Sequence, residues 1–167
     1  MPAIKYRMGA GYAGTISRPD EAIIEPSMSD AVAPVASYGL AVNVNTAGSG
    51  VRQVAGTDTA IFGFAVRPYP FQPSSASGFG AAAFGTGGPA AFQATDVLKS
   101  GYMLVPINGA SVKGAPVFIW VAASTGNHIQ GGAEIVASAG NTIALDSKSY
   151  FNGAPDATGI GEIAFNL

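Results

Sequence analysis

The side chains able to do chemistry are few and badly placed for it. The chain holds one histidine, His128, and no cysteine. His128 follows Ser124-Thr125-Gly126-Asn127, a run of turn formers. A histidine metal centre needs several such ligands, and a nucleophile relay needs a base held by a third group. His128 therefore reads as a polar turn residue. The ten carboxylates are Asp20, Glu21, Glu25, Asp30, Asp58, Asp96, Glu134, Asp146, Asp156 and Glu162. A glycosidase-type pair needs two of them to face each other in space. Most sit beside Pro, Gly, Thr or Ser, where Asp and Glu are ordinary turn residues. No stretch alternates oxygen ligands as a calcium loop does. Gly85-Thr86-Gly87-Gly88-Pro89-Ala90 mimics the spacing of a dinucleotide loop, but it lacks the strand before it and the helix after it, and Pro89 interrupts it. No catalytic residue, cofactor site or metal site is assigned.

The elements that would position any site are strands. Helix formers are sparse, and 23 glycines and 11 prolines punctuate most windows. Short strands are predicted at residues 22–25 (ended by Pro26), 38–44, 60–67, 101–107 and 116–122. Residues 133–137 and 142–146 predict a hairpin around Ala139-Gly140-Asn141. Residues 161–167 are the clearest strand, with Ile163, Phe165 and Leu167 alternating with Glu162, Ala164 and Asn166. Trp120 sits within Val117-Phe118-Ile119-Trp120-Val121, so it is expected in a core or an interface. Together these signals predict an all-β fold, an antiparallel β-sandwich or barrel-like, jelly-roll-like core.

Two segments do not read as core. Residues 1–34 are expected to form an N-terminal extended arm containing one short strand. Residues 35–167 form a single core domain, with residues 68–94 a long inserted loop rich in Gly, Pro and aromatics. Tyr69, Phe71, Phe79, Phe84 and Phe92 are spaced along that loop, and a solvated linker would carry Ser and charge in their place. The loop is expected to be an ordered contact arm.

Composition narrows the partners. Charged residues are 11% of the chain, against roughly 25% in an ordinary soluble domain. Such a surface suits a protein pressed against other proteins. Net charge is −2, and the eight Lys and Arg are scattered. Without a basic stripe, nucleic acid is not an expected partner. No long apolar run or leader-like segment is read, so neither is a membrane.

A family resemblance rests on ordered fragments. Arg18-Pro19-Asp20 leading to Ile24-Glu25-Pro26 resembles the opening of phage capsid cement proteins, and Tyr38-Gly39-Leu40-Ala41-Val42 resembles a later motif of that family. Gly63-Phe64-Ala65-Val66-Arg67-Pro68-Tyr69-Pro70 does so too. Gly101-Tyr102, Lys113-Gly114-Ala115-Pro116-Val117, Gly131-Gly132-Ala133-Glu134 and Glu162-Ile163-Ala164-Phe165-Asn166 follow in the same order. Leu40-Ala41 departs from the pattern where a proline is expected, and so does the Gly/Ala/Phe-rich insert around Phe79 to Phe92.

The resemblance implies a non-enzymatic virion protein on the outer surface of a tailed-phage head, made in the host cytoplasm. It would bind the major capsid protein, bridge neighbouring capsid subunits and stabilise the shell, as a homo-oligomer (trimer or dimer). The contact candidates are Lys5, Tyr6, Arg7, Tyr12, Arg18, Tyr69, Phe71, Phe79, Phe84 and Phe92. Aromatics would serve as apolar anchors and cations would meet shell carboxylates. The competing expectations are a tail or fibre subunit, or a carbohydrate-binding β-sandwich.

Overall fold

A computed structural model describes residues 10–68 and 87–167. Ten strands carry the fold: β1 (Ile23–Met28), β2 (Ala41–Val44), β3 (Val51–Gln53), β4 (Gly63–Val66), β5 (Ala94–Asn108), β6 (Phe118–Trp120), β7 (Ala133–Glu134), β8 (Thr142–Ala144), β9 (Tyr150–Phe151) and β10 (Ile160–Phe165). A 3-10 turn, Pro19–Glu21, precedes β1. The all-β expectation holds, in a sandwich-like arrangement. The strands form one open, mixed sheet in the order β3-β2-β4-β5-β7-β6-β8, with β1 and β10 also paired to β5 and β9 paired to β10. Every pair is antiparallel except β5–β7.

β5 organises the molecule. Its first half pairs with β1 and β4, and its second half pairs with β10 and then β7. Both faces of β5 are covered. Leu98, Met103, Val105 and Ile107 enter a larger core with Phe64, Ile119, Phe151, Ile163 and Phe165. Val97 enters a second core with Val35, Tyr38, Leu40, Val42 and Val51. The sequence analysis reads only residues 101–107 of this strand. Asp96, Lys99 and Ser100 break the apolar pattern before them, yet backbone pairing on both sides carries the strand through.

Three further expectations are corrected. Residues 133–137 and 142–146 do not form a hairpin, because β7 and β8 both pair with β6, which lies between them. β1 does not stop at Pro26 but runs to Met28, since an edge strand tolerates a residue without an N–H. In β10, Ala164 is buried along with Ile163 and Phe165, so the alternation does not separate a wet face from a dry one; β9 covers that stretch.

The described part of the N-terminal arm is extended and docked. Residues 10–28 run the length of β5. The Gly14 amide donates to the Leu104 carbonyl (2.7 Å) and the Ser17 amide to the Tyr102 carbonyl (3.1 Å). Gly14 and Gly39, both at positive φ, cross so closely that a Cβ on Gly39 would lie 2.5 Å from the Gly14 nitrogen. The chain crossing therefore requires glycine there.

Candidate functional site

The candidate site is a rim of apolar side chains along β1. Ile23, Ile24 and Met28 of β1 are exposed, as are Val32 just beyond it and Phe92 beside it. Among the described residues β1 has a strand partner on one side only, β5, until an isolated bridge joins Ser29 to Val51. It overhangs both cores, so neither of its faces is covered. Strand alternation puts Ile24, Pro26 and Met28 on one face and Glu25 and Ser27 on the other.

Phe92 is the most conspicuous member. Its ring is 71% exposed, and its backbone lies at φ 58, a left-handed conformation that costs a bulky residue about 1–2 kcal/mol. Local bonds hold it there. The Phe92 amide donates to the Ser29 carbonyl (3.0 Å), the Ser29 amide donates to the Gln93 carbonyl (2.9 Å), and Gln93 Oε1 accepts the Ala90 amide (2.8 Å). An aromatic ring is thereby aimed outward at the end of β1. An exposed anchor on a strained backbone is a feature typical of contact sites.

The rim is tied down by polar clamps at its other end. The Arg18 guanidinium lies 3.7 Å from the centroid of the Tyr102 ring and pairs with Glu162 Oε2 at 3.4 Å. Glu162 also accepts from Ser17 Oγ and Asn152 Nδ2. Arg18 is thus engaged within the chain, with its side chain 42% exposed. A hydrogen bond to Tyr150 pushes the Tyr102 hydroxyl up in pKa. Tyr12, also exposed, sits near Arg67, whose Nε donates to the Ala13 carbonyl (2.9 Å) and whose guanidinium faces the Tyr12 and Tyr38 rings. Asp156 accepts the Ala10 amide (2.7 Å). The hydrogen bond from the Thr158 hydroxyl, with those from the Ala10, Ile160 and Thr158 amides, outweighs partial burial and holds the Asp156 carboxyl down at about 2.

His128 stands in a built cluster rather than on a simple turn. Its ring stacks on Trp120 at 4.1 Å, and its Nδ1 lies 2.9 Å from Glu134 Oε1. Asn108 Nδ2 donates to both Glu134 oxygens (3.2 and 3.0 Å). Glu134 is buried with both oxygens engaged, which suits a structural lock between β5, β7 and the 124–131 turn. The partner that satisfies this carboxylate, Asn108, lies 26 residues away in the chain. Trp120 is buried under His128 and offers no open aromatic face.

Of the sequence-predicted contact residues, Tyr12, Arg18 and Phe92 are described. Tyr12 and Phe92 are exposed, at opposite ends of β5. Lys5, Tyr6, Arg7, Tyr69, Phe71, Phe79 and Phe84 lie outside the described residues. Sequence reasoning missed Ile23, Ile24, Met28 and Val32 as exposed apolar residues. One signal could have found the first three: Pro26 within an apolar run marks an edge strand.

No curated protein matches the chain. A chain in the solved structure "The capsid of Myoviridae Phage XM1" superposes with a TM-score of 0.70 at 16% identity, over 98% of this chain and 95% of that chain. At that identity the likeness shows a common fold. The model of the XM1 gp53 minor capsid protein family matches residues 1–165. The chain thus belongs to the XM1 gp53 minor capsid protein family and is a structural, capsid-associated component of a phage virion.

Proposed function

We propose that this minor capsid protein is a cement subunit, binding the outside of the phage head and bridging neighbouring major capsid subunits. The observation that carries the reading is the β1 rim, where Ile23, Ile24, Met28, Val32 and Phe92 are all exposed in the isolated chain. Exposed apolar side chains grouped along and beside one edge strand mark a surface that another protein covers. Burying such side chains supplies about 25 cal/mol per Å² of apolar area, enough for a moderate bond at each of many equivalent shell sites. The role needs no catalysis and no cofactor, only association. Of the sequence-derived contacts, Phe92 joins the rim as an apolar anchor, Tyr12 is a second anchor at the far end of β5, and Arg18 holds the base of the N-terminal ribbon. Lys5, Tyr6, Arg7, Tyr69, Phe71, Phe79 and Phe84 supply the remaining contacts to capsid or to neighbouring copies.

The test adds purified protein to expanded heads that lack it. Electron microscopy should find ordered copies on the outer shell lattice, and Ile24→Asp should fold normally yet bind heads at least about tenfold more weakly, the effect of a charge placed in a buried contact. Copies confined to a ring or shaft would support a tail role instead, and unchanged binding of Ile24→Asp would remove the rim from the contact.

A further inference from the structure

We infer that the β1 rim of one copy is the seat for residues 4–8 of a second copy, Ile4-Lys5-Tyr6-Arg7-Met8. The inference rests on the rim being a contact surface, and it names the partner. Four observations point to this occupant.

The first is the open edge. Between Ile23 and Ser27 the outer side of β1 has no strand partner among the described residues. Such an edge takes an added strand, and the alternating side chains decide which one. The second is charge. Glu25 on β1, Asp96 opposite Pro26, and Asp20 and Glu21 in the turn before β1 are all exposed. The nearest cations are otherwise engaged: Arg18 pairs with Glu162, and Lys99 donates to the Phe62 carbonyl over the Phe62 ring. β1 thus carries Glu25 on one face, while Asp96, opposite Pro26, adds a carboxylate beside Ile24 and Met28 on the other.

The third is the sequence of the occupant. Residues 4–8 alternate strictly, with Ile4, Tyr6 and Met8 interleaved by Lys5 and Arg7. As a strand this segment has one apolar and one cationic face. Paired with β1, it would set apolar side chains beside Ile24, Pro26 and Met28 and a cation beside Glu25. Two of the chain's eight Lys and Arg fall in these five residues.

The fourth is reach, and it puts the pairing between two copies. The Ala10 amide is bonded to Asp156, whose own amide donates to the Ile160 carbonyl (2.8 Å), and Ile160 lies opposite Pro106. Ile24 lies opposite Leu98. Pro106 and Leu98 are eight residues apart on β5, roughly 26 Å at strand rise. Met8, two residues from Ala10, reaches at most about 7 Å, and Ile4 about 21 Å. A chain's own segment cannot lie along its own β1, but a neighbour's segment can.

The absence of native cysteine makes cross-linking a clean test. Chains carrying Tyr6→Cys and chains carrying Ile24→Cys or Met28→Cys are mixed and oxidised, free in solution and on heads. A covalent heterodimer of twice the chain mass is expected. Glu25→Lys in the acceptor should lower its yield at least about fivefold, and Lys5→Glu with Arg7→Glu in the donor should restore it. Three outcomes overturn the inference: no heterodimer with either acceptor position, a disulfide closing within one chain that carries both substitutions, or Ile24→Cys captured by a major capsid subunit instead. The last would leave the cement reading intact, since head binding by the unmodified chain is measured separately.

Discussion

Phe92 and Asp156 show at the residue scale how local geometry is turned to a purpose. Phe92 keeps an exposed ring on a left-handed backbone, a combination that detracts from the stability of the free protein. Asparagine tolerates that conformation far better. Phe92→Asn should therefore raise the stability of the isolated chain by about 1 kcal/mol, read by thermal denaturation, while weakening head binding. A fall in stability with unchanged binding would mean that the ring packs at home and has no role outside. Asp156 gives a pH dependence. Its carboxyl titrates at about 2 when folded, below the ordinary 3.8. A lowered carboxylate stabilises above its unfolded pKa, and that contribution disappears as pH falls toward the folded value. The stabilisation tied to the Thr158, Ala10 and Ile160 hydrogen bonds should thus be lost between about pH 4 and pH 2. Asp156→Ala should flatten the melting temperature profile across that window and leave its slope above pH 5 unchanged.

The N-terminal ribbon is the instructive case at the element scale. The Gly and Pro content of residues 1–34 suggests a segment apart from the core, but residues 14–17 and β1 are paired to β5. The clamp that holds the ribbon cannot be read from spacing. Arg18 and Ser17 meet Glu162 across 144 and 145 residues of sequence, and Tyr102 supplies the ring under the guanidinium. Glu162→Ala removes the acceptor for three donors. We expect a loss of about 1–2 kcal/mol, because the Arg18 pair is partly solvated and contributes little by itself. Hydrogen exchange should quicken first at the Ser17 amide and its neighbours. Uniform acceleration across the whole sheet would instead mean that the ribbon and the core open together. The strands that were legible, β2, β4, β6 and β10, lie in apolar runs bounded by turn residues. β3 and β9, three and two residues long, are too short to carry a period, whereas β7 and β8 are legible as strands but not in their pairing with β6.

Both cores lie against β5, so the described strands are expected to unfold together. Phe64 of β4 packs edge-on against Phe165 of β10, with ring centroids 5.1 Å apart, and so joins an early strand to the last one. Phe64→Ala should cost about 3–5 kcal/mol and lower the melting temperature by about 10 °C for a chain of this size, still in a single transition. Two separate transitions would show that the halves of the sheet fold independently.

The sequence by itself determined the class of answer. Few helix formers, many turn residues and alternating apolar runs allow little besides a β fold, and a scattering of charge with one histidine leaves little chemistry. Those properties are local, or are sums over the chain, so residue order suffices to read them. Ordered fragments from Arg18 to Asn166 were also enough to point to the capsid family. Only the tertiary structure decided which apolar side chains are left exposed. Ile23, Ile24 and Met28 look like core residues in sequence, and they are exposed because β1 overhangs both cores at the edge of the sheet. Glu134 looks like a turn carboxylate, and it is buried because Asn108 and His128 close over it. Burial and edge position depend on partners far away in the chain, and no short window of sequence contains them.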